Sequence, residues 1–284
     1  MKTGTCALCG KLGKLHESHF LPKGAYRLMR DSLNGNDNPV LMSRRVSVQS
    51  NFQMTQPLLC SGCERRFSEL GESYVLPLLS RKKTFPLLDR LRIAMPLYAT
   101  FQNSAFECPR VGLDGEKLGY FGLSLLWRAG VRPWRTFDKA TTSVQLDANH
   151  LEKLRRYLSG ETGWPINLAV IVTVATDFVS QQSCFVPFRV PDNPVFPTTY
   201  GTMIKGLYYR FVFQDNPPAA LRAISVSGGG MNLIFARDCA DKSWEPVASM
   251  MESTVPKGSL AKPMQGFAGK VREIDPATIQ PSRH

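Results

Sequence analysis

The chain has 284 residues, of which 43% are hydrophobic and 20% are charged, and its formal net charge is +12. No stretch approaches the roughly 18 uncharged apolar residues of a membrane helix, which excludes a helical membrane protein and predicts a soluble one with one large core or two smaller ones. The N-terminus lacks the apolar run of a secretory signal. We therefore expect the cytoplasm of a bacterial or phage-infected cell, where the seven cysteines act as metal ligands or buried thiols.

The positive charge is concentrated in the first part of the chain. Residues 1–160 contain 24 Lys and Arg against 13 Asp and Glu, a net charge of +11, whereas residues 161–284 contain 11 against 10, a net charge of +1. A basic surface of this kind favours a polyanion as partner, because each neutralised phosphate releases condensed counterions. The alternative is a generic solubilising charge.

Residues 1–80 contain two Cys-x-x-Cys motifs, Cys6/Cys9 and Cys60/Cys63. Two such pairs supply the four thiolates of a tetrahedral Zn²⁺ site, with metal–sulfur bonds of about 2.3 Å. Four ordinary buried thiols are the alternative, which the paired double spacing disfavours. The motifs predict a structural zinc site that joins the two ends of this segment.

Between the two motifs, a turn-rich insert at residues 34–39 precedes an alternating run at residues 40–49 that predicts a strand. A helix is expected from the second motif onward. Ser61 followed by Glu64 matches a capping box, and the apolar residues after it recur at helical spacing.

Residues 81–160 are expected to form a basic, mainly helical connector. It starts with the basic run at residues 81–83, and the apolar residues of 118–131 predict a core helix. A second helix follows Asp147, a good N-cap, and ends at Gly160, with leucines on one face and Lys and Arg off it.

Residues 161–255 are expected to form a β-rich domain, and residues 256–284 a flexible tail rich in Pro, Gly and Lys. Apolar, β-branched or aromatic runs predict four strands, at residues 166–175, 184–190, 207–213 and 233–236. The fold class predicted from the sequence is therefore α+β, with a zinc-stapled N-terminal module, a helical connector and a C-terminal sheet.

Three segments of the first quarter carry a family resemblance: Cys6-Ala7-Leu8-Cys9, then Ser18-His19-Phe20-Leu21-Pro22-Lys23, then Leu58-Leu59-Cys60-Ser61-Gly62-Cys63-Glu64. Over residues 4–75 the chain resembles the HNH, or ββα-metal, endonuclease family. In that family a histidine at the end of the first strand precedes an aliphatic pair and a proline, and a Leu-Cys-x-x-Cys knuckle opens the metal-binding helix. The resemblance implies a ββα-metal fold for the N-terminal module.

The resemblance also implies an activity, the metal-dependent hydrolysis of phosphodiester bonds in DNA. His19 falls on the position of the general base that deprotonates the attacking water, and Glu64 falls where the helix presents a metal ligand. The implied catalytic metal is a single Mg²⁺ or Mn²⁺, with Zn²⁺ kept as the structural ion. The basic half of the chain is expected to hold the phosphate backbone.

Several positions depart from the family pattern. Ser18 stands where the family often has an acidic metal ligand or a histidine, and Glu17 or His16 are candidates to take over that role. Glu72, two turns after Glu64 in the helix, is a further candidate ligand for the catalytic metal. Glu64 itself has an alternative role as the second residue of a capping box.

The asparagine that orients the base in the family is also missing, and Gln56 is the best substitute near its expected place. These departures support two alternatives: a non-catalytic zinc-clamped nucleic-acid-binding or adaptor protein, and an RNA-directed nuclease. DNA is favoured over RNA as the substrate.

Small HNH proteins with an added domain resemble bacterial or phage nucleases, including defence effectors. The resemblance therefore implies that residues 161–284 contact an activating or targeting partner. A homodimer is also expected, because one HNH site handles one strand of a duplex.

Overall fold

The computed structural model describes residues 2–30, 38–43, 45–79, 84–191, 198–226, 231–239 and 254–261. The chain divides into two compact units. The first consists of residues 1–30 and 52–244, and the second of residues 31–51 and 245–284. Strands and helices mix in the first unit, so the predicted α+β class is confirmed.

The strands are β1 (Lys2–Thr5), β2 (Leu12–His19), β3 (Val40–Met42), β4 (Val46–Gln49), β5 (Thr55–Leu59), β6 (Tyr98–Ala99), β7 (Asn103–Glu107), β8 (Trp134–Arg135), β9 (Thr141–Thr142), β10 (Leu168–Ala175), β11 (Cys184–Arg189), β12 (Thr198–Ile204), β13 (Leu207–Phe213), β14 (Leu233–Arg237) and β15 (Val255–Pro256). The α-helices are α1 (Lys23–Leu28), α2 (Ser61–Phe67), α3 (Ser73–Leu79), α4 (Pro86–Arg92), α5 (Gly115–Val131), α6 (Ala148–Ser159), α7 (Phe178–Gln181) and α8 (Ala219–Ala223). A π-helical turn, Ser68–Glu72, joins α2 to α3.

A seven-stranded sheet forms the centre of the first unit, with the strand order β11-β12-β13-β10-β14-β7-β6. β10 and β14 are parallel, and the other neighbouring strands are antiparallel. β10 and β13 are rich in β-branched and aromatic residues, which favour the pleated, buried positions of a central strand. Buried residues of this sheet and of the N-terminal segment belong to one apolar core.

The helix α5 connects the sheet to the N-terminal helices. Gly122 lies against the ring of Tyr209 on β13, so closely that an added Cβ would stand 2.5 Å from the ring. Gly71 of the π-helical turn lies against the backbone of Phe121 in the same way, at 3.1 Å. Small residues thus allow α5 to contact both neighbours. The predicted domain borders near residues 80 and 160 stay predictions.

A second sheet of the first unit has the order β1-β2-β5, with both pairs antiparallel. The pairing of β2 with β5 shifts its register between His16 and Glu17. Because α2 begins two residues after β5 ends, β2, β5 and α2 follow one another in space as strand, strand and helix. This sheet and α2 position the candidate site. In the second unit, β15, β4 and β3 form a three-stranded sheet.

Several sequence predictions are confirmed. The side chain of Asp147 accepts hydrogen bonds from the backbone amides of Asn149 and His150, and Gly160 ends α6 with a φ of 82°. The core helix of residues 118–131 is α5, and the four strands expected after residue 161 are β10, β11, β13 and β14. Among the described residues, no helix has both the length and the apolar character needed to cross a bilayer.

Other expectations were wrong or incomplete. Residues 40–49 form two antiparallel strands, β3 and β4, where the sequence predicts one. The capping box of Ser61 and Glu64 does not form, since Cys60 is the N-cap of α2 and no side chain caps the helix. The mainly helical segment after residue 80 also contains β6 and β7. The basic run at residues 81–83, residues 34–37 of the insert and the tail beyond residue 261 lie outside the described residues.

Candidate metal centre

The four cysteines of the two motifs form one cluster, made up of Cys6, Cys9, Cys60 and Cys63. Their sulfur atoms all lie within 4.8 Å of one another, and Cys9 Sγ and Cys60 Sγ are 3.8 Å apart. A tetrahedron with metal–sulfur bonds of about 2.3 Å has sulfur–sulfur edges of about 3.8 Å. The cluster therefore has the donor set and nearly the dimensions of a structural Zn²⁺ site.

The first knuckle is the loop between β1 and β2. The amide of Cys6 donates to the carbonyl of Lys11 at 2.9 Å, and the amide of Gly10 donates to the carbonyl of Cys6, also at 2.9 Å. This tight turn needs a left-handed residue, which Gly10 supplies with a φ of 71°. The amide of Ala7 donates to Leu58 of β5 and ties the knuckle to the second motif.

The second knuckle is the start of α2. Cys60 is the N-cap residue, and Cys63 lies in the first turn, where residues three apart share one face of a helix. The amide of Cys60 points at the sulfur of Cys6, with a nitrogen–sulfur distance of 3.4 Å. Such amide–sulfur contacts stabilise thiolates, the form in which cysteine binds metals.

Hydrogen bonds from the surrounding backbone lower the pKa of the Cys6 thiol. Burial raises the pKa of the Cys6 thiol, but hydrogen bonds from the amides of Cys9, Cys60 and Leu8 outweigh burial and bring the pKa down to about 7. Burial raises the pKa of Cys9 and of Cys63. The cluster thus has one sulfur whose charge the protein already stabilises, and a cation would compensate the charge of the others.

The helix α6 supports the first knuckle. Arg155 donates to the carbonyl of Leu8 at 2.9 Å, and it also forms ion pairs with Glu152 and Glu161, at 2.8 Å and 2.6 Å. The hydrogen bonds from Arg155 and Ser159 lower the pKa of Glu161 to about 2. The basic outer face expected for α6 is therefore partly neutralised within the chain, because Arg155 is held by two carboxylates.

Ser18 and Glu64 are in contact beside the cluster. The hydroxyl of Ser18, which is 1% exposed, donates to the Glu64 carboxylate, and it accepts a hydrogen bond of 3.1 Å from the amide of Leu59. Glu64 comes from the first turn of α2, where its own amide bonds to the carbonyl of Cys60. The carboxylate of Glu64 thus contacts a strand residue 46 positions earlier in the chain.

His19 is the last residue of β2, directly opposite Thr55 of β5. Its side chain is half-buried, and its ring lies 6.0 Å from the ring of Tyr26, measured between centroids. Burial raises the pKa of Tyr26 to about 12, so this neighbour stays neutral at physiological pH. Side chains alternate along a strand, so His19 and Ser18 leave β2 on opposite faces.

The remaining predicted site residues lie in different surroundings. Gln56 is directly opposite Ser18 and so shares its face, and its buried Nε2 has no hydrogen-bond partner among the described residues. Glu17 is exposed. Glu72 forms an ion pair with Arg128 of α5, at 2.7 Å. The structure thus brings Ser18, Gln56 and Glu64 together, and none of the described contacts joins His19 to Glu64.

Two long-range contacts around the site had no signal in the sequence. Arg128 is almost fully buried on the mainly apolar helix α5, where its guanidinium lies 4.8 Å from the centre of the Phe67 ring. It pairs with Glu72, which is 56 positions away in the chain. The contact from Arg155 to Leu8 spans 147 positions. Local periodicity cannot predict such long-range partners.

No family model, curated protein or solved structure matches the chain. The class of site is therefore defined by its own chemistry: a four-cysteine cluster that could hold a metal such as zinc, beside a serine–glutamate pair on a strand–strand–helix arrangement.

Proposed function

We propose that the protein is a metal-dependent endonuclease that hydrolyses phosphodiester bonds in DNA, with an HNH-type site in residues 4–75. The contact between Ser18 and Glu64 is the observation that supports this proposal. In the family that the sequence resembles, the residue before the base and the first turn of the helix share the catalytic metal. The two corresponding positions of this chain are in direct contact, although 46 residues separate them.

The donors available next to Ser18 fit a hard divalent cation. Glu64 offers a carboxylate, Ser18 a hydroxyl and Gln56 an amide oxygen, and Mg²⁺ and Mn²⁺ prefer oxygen ligands of this kind. The buried amide nitrogen of Gln56 is without a partner in the described part of the chain, which leaves the orientation of this amide open to a ligand. Glu72 is outside the proposed site because Arg128 already neutralises it.

His19 is the proposed general base. Its half-buried ring at the end of β2 is reachable by water, and histidine is the side chain that most often serves as a general base. When bound at Glu64, Mg²⁺ or Mn²⁺ supplies positive charge that offsets the charge developing on the phosphate and the leaving oxygen. The proposal thus assigns proton removal to His19 and charge compensation to Glu64.

The surface of the module supports a nucleic-acid substrate. Four cations on β2, α1 and α2 are exposed: Lys14, Lys23, Arg27 and Arg65. Cations of this kind bind phosphates without reading bases, so binding should weaken steeply as salt rises. DNA is the proposed substrate class, and RNA is the alternative that the experiment tests directly.

The test is cleavage of supercoiled plasmid DNA and of structured RNA by zinc-loaded protein with Mg²⁺ or Mn²⁺. We expect the wild type to nick plasmid only with divalent metal. His19→Ala should lower the rate by about 10²-fold or more, the usual contribution of a general base. Glu64→Gln, which keeps the hydrogen-bonding shape but removes the charge, should raise the Mn²⁺ concentration needed for half-maximal rate.

The matched control is His150→Gln, which removes an imidazole from α6 and should leave the cleavage rate unchanged. Equal zinc content in all variants shows that the clamp is intact. Equal cleavage by the wild type and the His19 variant would refute the assignment of the base. Cleavage of RNA alone would replace DNA by RNA as the substrate.

A second candidate function is a non-catalytic, zinc-clamped nucleic-acid-binding or adaptor protein. The contact between Ser18 and Glu64 also favours this function, because the hydroxyl and the carboxylate form a hydrogen bond with each other and need no metal as a partner. This alternative predicts salt-dependent DNA binding, measurable by fluorescence anisotropy, with no cleavage at any Mn²⁺ concentration. It also predicts that Glu64→Gln leaves DNA affinity unchanged.

A further inference from the structure

The segment between α4 and β7 exposes large apolar side chains. Within nine residues, five of them are 45–104% exposed: Ile93, Met95, Leu97, Tyr98 and Phe101. At roughly 150–250 Å² for a large side chain, they present on the order of 600–900 Å² of surface. The largest apolar patch of a typical monomer is about 300–600 Å². A patch of this size indicates a surface that a partner covers.

A groove of about 710 Å³ lies beside this apolar segment. Its lining combines apolar residues, including Leu88, Leu91 and Phe106, with polar ones such as Gln102 and Asn103, and Phe101 is part of it. The side chain of Phe101 is fully exposed to solvent, at 104% relative exposure. The same surface thus presents a protruding aromatic side chain and a groove with both apolar and polar lining next to it.

This combination fits a second copy of the chain better than an unrelated partner. In a two-fold arrangement the same patch meets itself, so each protruding side chain faces the groove of the other copy. Beside the segment, Asp89 and Arg92 of α4 form an ion pair with each other at 3.4 Å, so their charges cancel although the chain as a whole is strongly basic. A surface with a neutral pair of this kind does not repel its copy, whereas a uniformly basic surface would.

The sheet offers a further point of contact at this place. β6 is the terminal strand of the seven-stranded sheet, and in the described part of the chain its outer edge pairs with no strand. Two antiparallel edge strands can pair about a two-fold axis. The area of the patch also matches the roughly 800 Å² per partner of a standard stable interface.

We propose that the protein forms a two-fold symmetric homodimer through the apolar segment of residues 93–101, with Phe101 of each copy in the groove of the other. This proposal stands apart from the nuclease proposal, because it concerns a surface formed by α4, β6 and β7 and uses none of the site residues. A failure of the dimer proposal would leave the cleavage proposal standing, and a failure of the cleavage proposal would leave the dimer proposal standing.

Sedimentation equilibrium of the full, zinc-loaded chain tests the proposal. The wild type should be dimeric at about 100 µM and dissociate on dilution. The double variant Met95→Asp/Phe101→Asp should weaken dimerisation by at least about tenfold per side chain, as expected for buried interface anchors. The matched control is Ile166→Asp/Leu12→Asp, which changes two apolar residues that are 89% and 78% exposed and do not line the groove.

Circular dichroism and zinc content show whether each variant keeps its fold. A dimeric control together with a monomeric Met95/Phe101 variant supports the proposal. A wild type that stays monomeric at about 100 µM overturns it and leaves the patch to another partner. Equal association constants for the wild type and the Met95/Phe101 variant would overturn it as well, because the interface would then lie elsewhere.

Discussion

Replacing Cys60 by serine removes one of the four sulfur atoms of the cluster and tests the zinc clamp. Cys60 is both a member of the four-cysteine cluster and the N-cap of α2, and the cluster connects the β1–β2 loop to the start of that helix. Structural zinc contributes about 10 kcal/mol or more to folding. This is comparable with the whole stability of a typical domain, about 5–15 kcal/mol.

A loss of even about 5 kcal/mol lowers the Tm of a domain of this size by about 10–20 °C. We expect Cys60→Ser, and the wild type treated with a strong chelator, to show this decrease. Hydrogen exchange should rise first in β1, β2, β5 and α2, since the four-cysteine cluster joins these elements directly. Native mass spectrometry should give one zinc per wild-type chain.

Cys184→Ser is the control, because this cysteine lies on β11 outside the cluster. It should keep the zinc and change stability by less than about 1 kcal/mol. A chelated protein with unchanged Tm and unchanged exchange in β1, β2, β5 and α2 would refute the reasoning. So would a wild type that contains no stoichiometric metal.

Three further predictions concern the core. Glu72→Gln removes the ion-pair partner of Arg128, whose side chain is only 2% exposed. The free energy of unfolding in urea should fall by about 3–5 kcal/mol. Adding Arg128→Met should restore most of this loss, because no unpaired charge then stays buried. Gly122→Ala places a Cβ 2.5 Å from a tyrosine ring and should cost about 1–3 kcal/mol, whereas Gly163→Ala, with nothing within 4 Å, should be neutral. Burial lowers the pKa of His150 below 6.5, so the unfolded chain binds its proton more readily. Stability should therefore fall as the pH drops below 6.5 through the lower folded pKa, and His150→Gln should remove that part of the slope.

The elements predicted correctly are those with local signals. α6 begins at Asp147 and ends at Gly160 because a side-chain cap and a left-handed glycine act within a few residues of each other. The four cysteines were likewise recognisable, since each knuckle brings two ligands together over four residues. The paired spacing was therefore enough to predict the cluster.

The elements and contacts that were missed depend on distant partners. β7 is short and polar at its start, and it is held in the sheet by β14, about 130 positions later in the chain. Glu64 matches a capping box in the local sequence, yet its carboxylate accepts a hydrogen bond from Ser18 of β2 instead. Arg128 of α5 pairs with Glu72, which lies 56 positions away in the chain. Tertiary contacts override local preference at these positions.

Plasmid nicking by the wild-type, zinc-loaded protein is the most direct test of the endonuclease proposal. Supercoiled DNA is incubated with and without Mn²⁺, and the rate of nicked-circle formation is measured as a function of protein concentration. The proposed site at His19 and Glu64 predicts nicking that requires Mn²⁺ and increases in proportion to the zinc-loaded protein. DNA that is bound but stays supercoiled at every Mn²⁺ concentration would contradict the proposal.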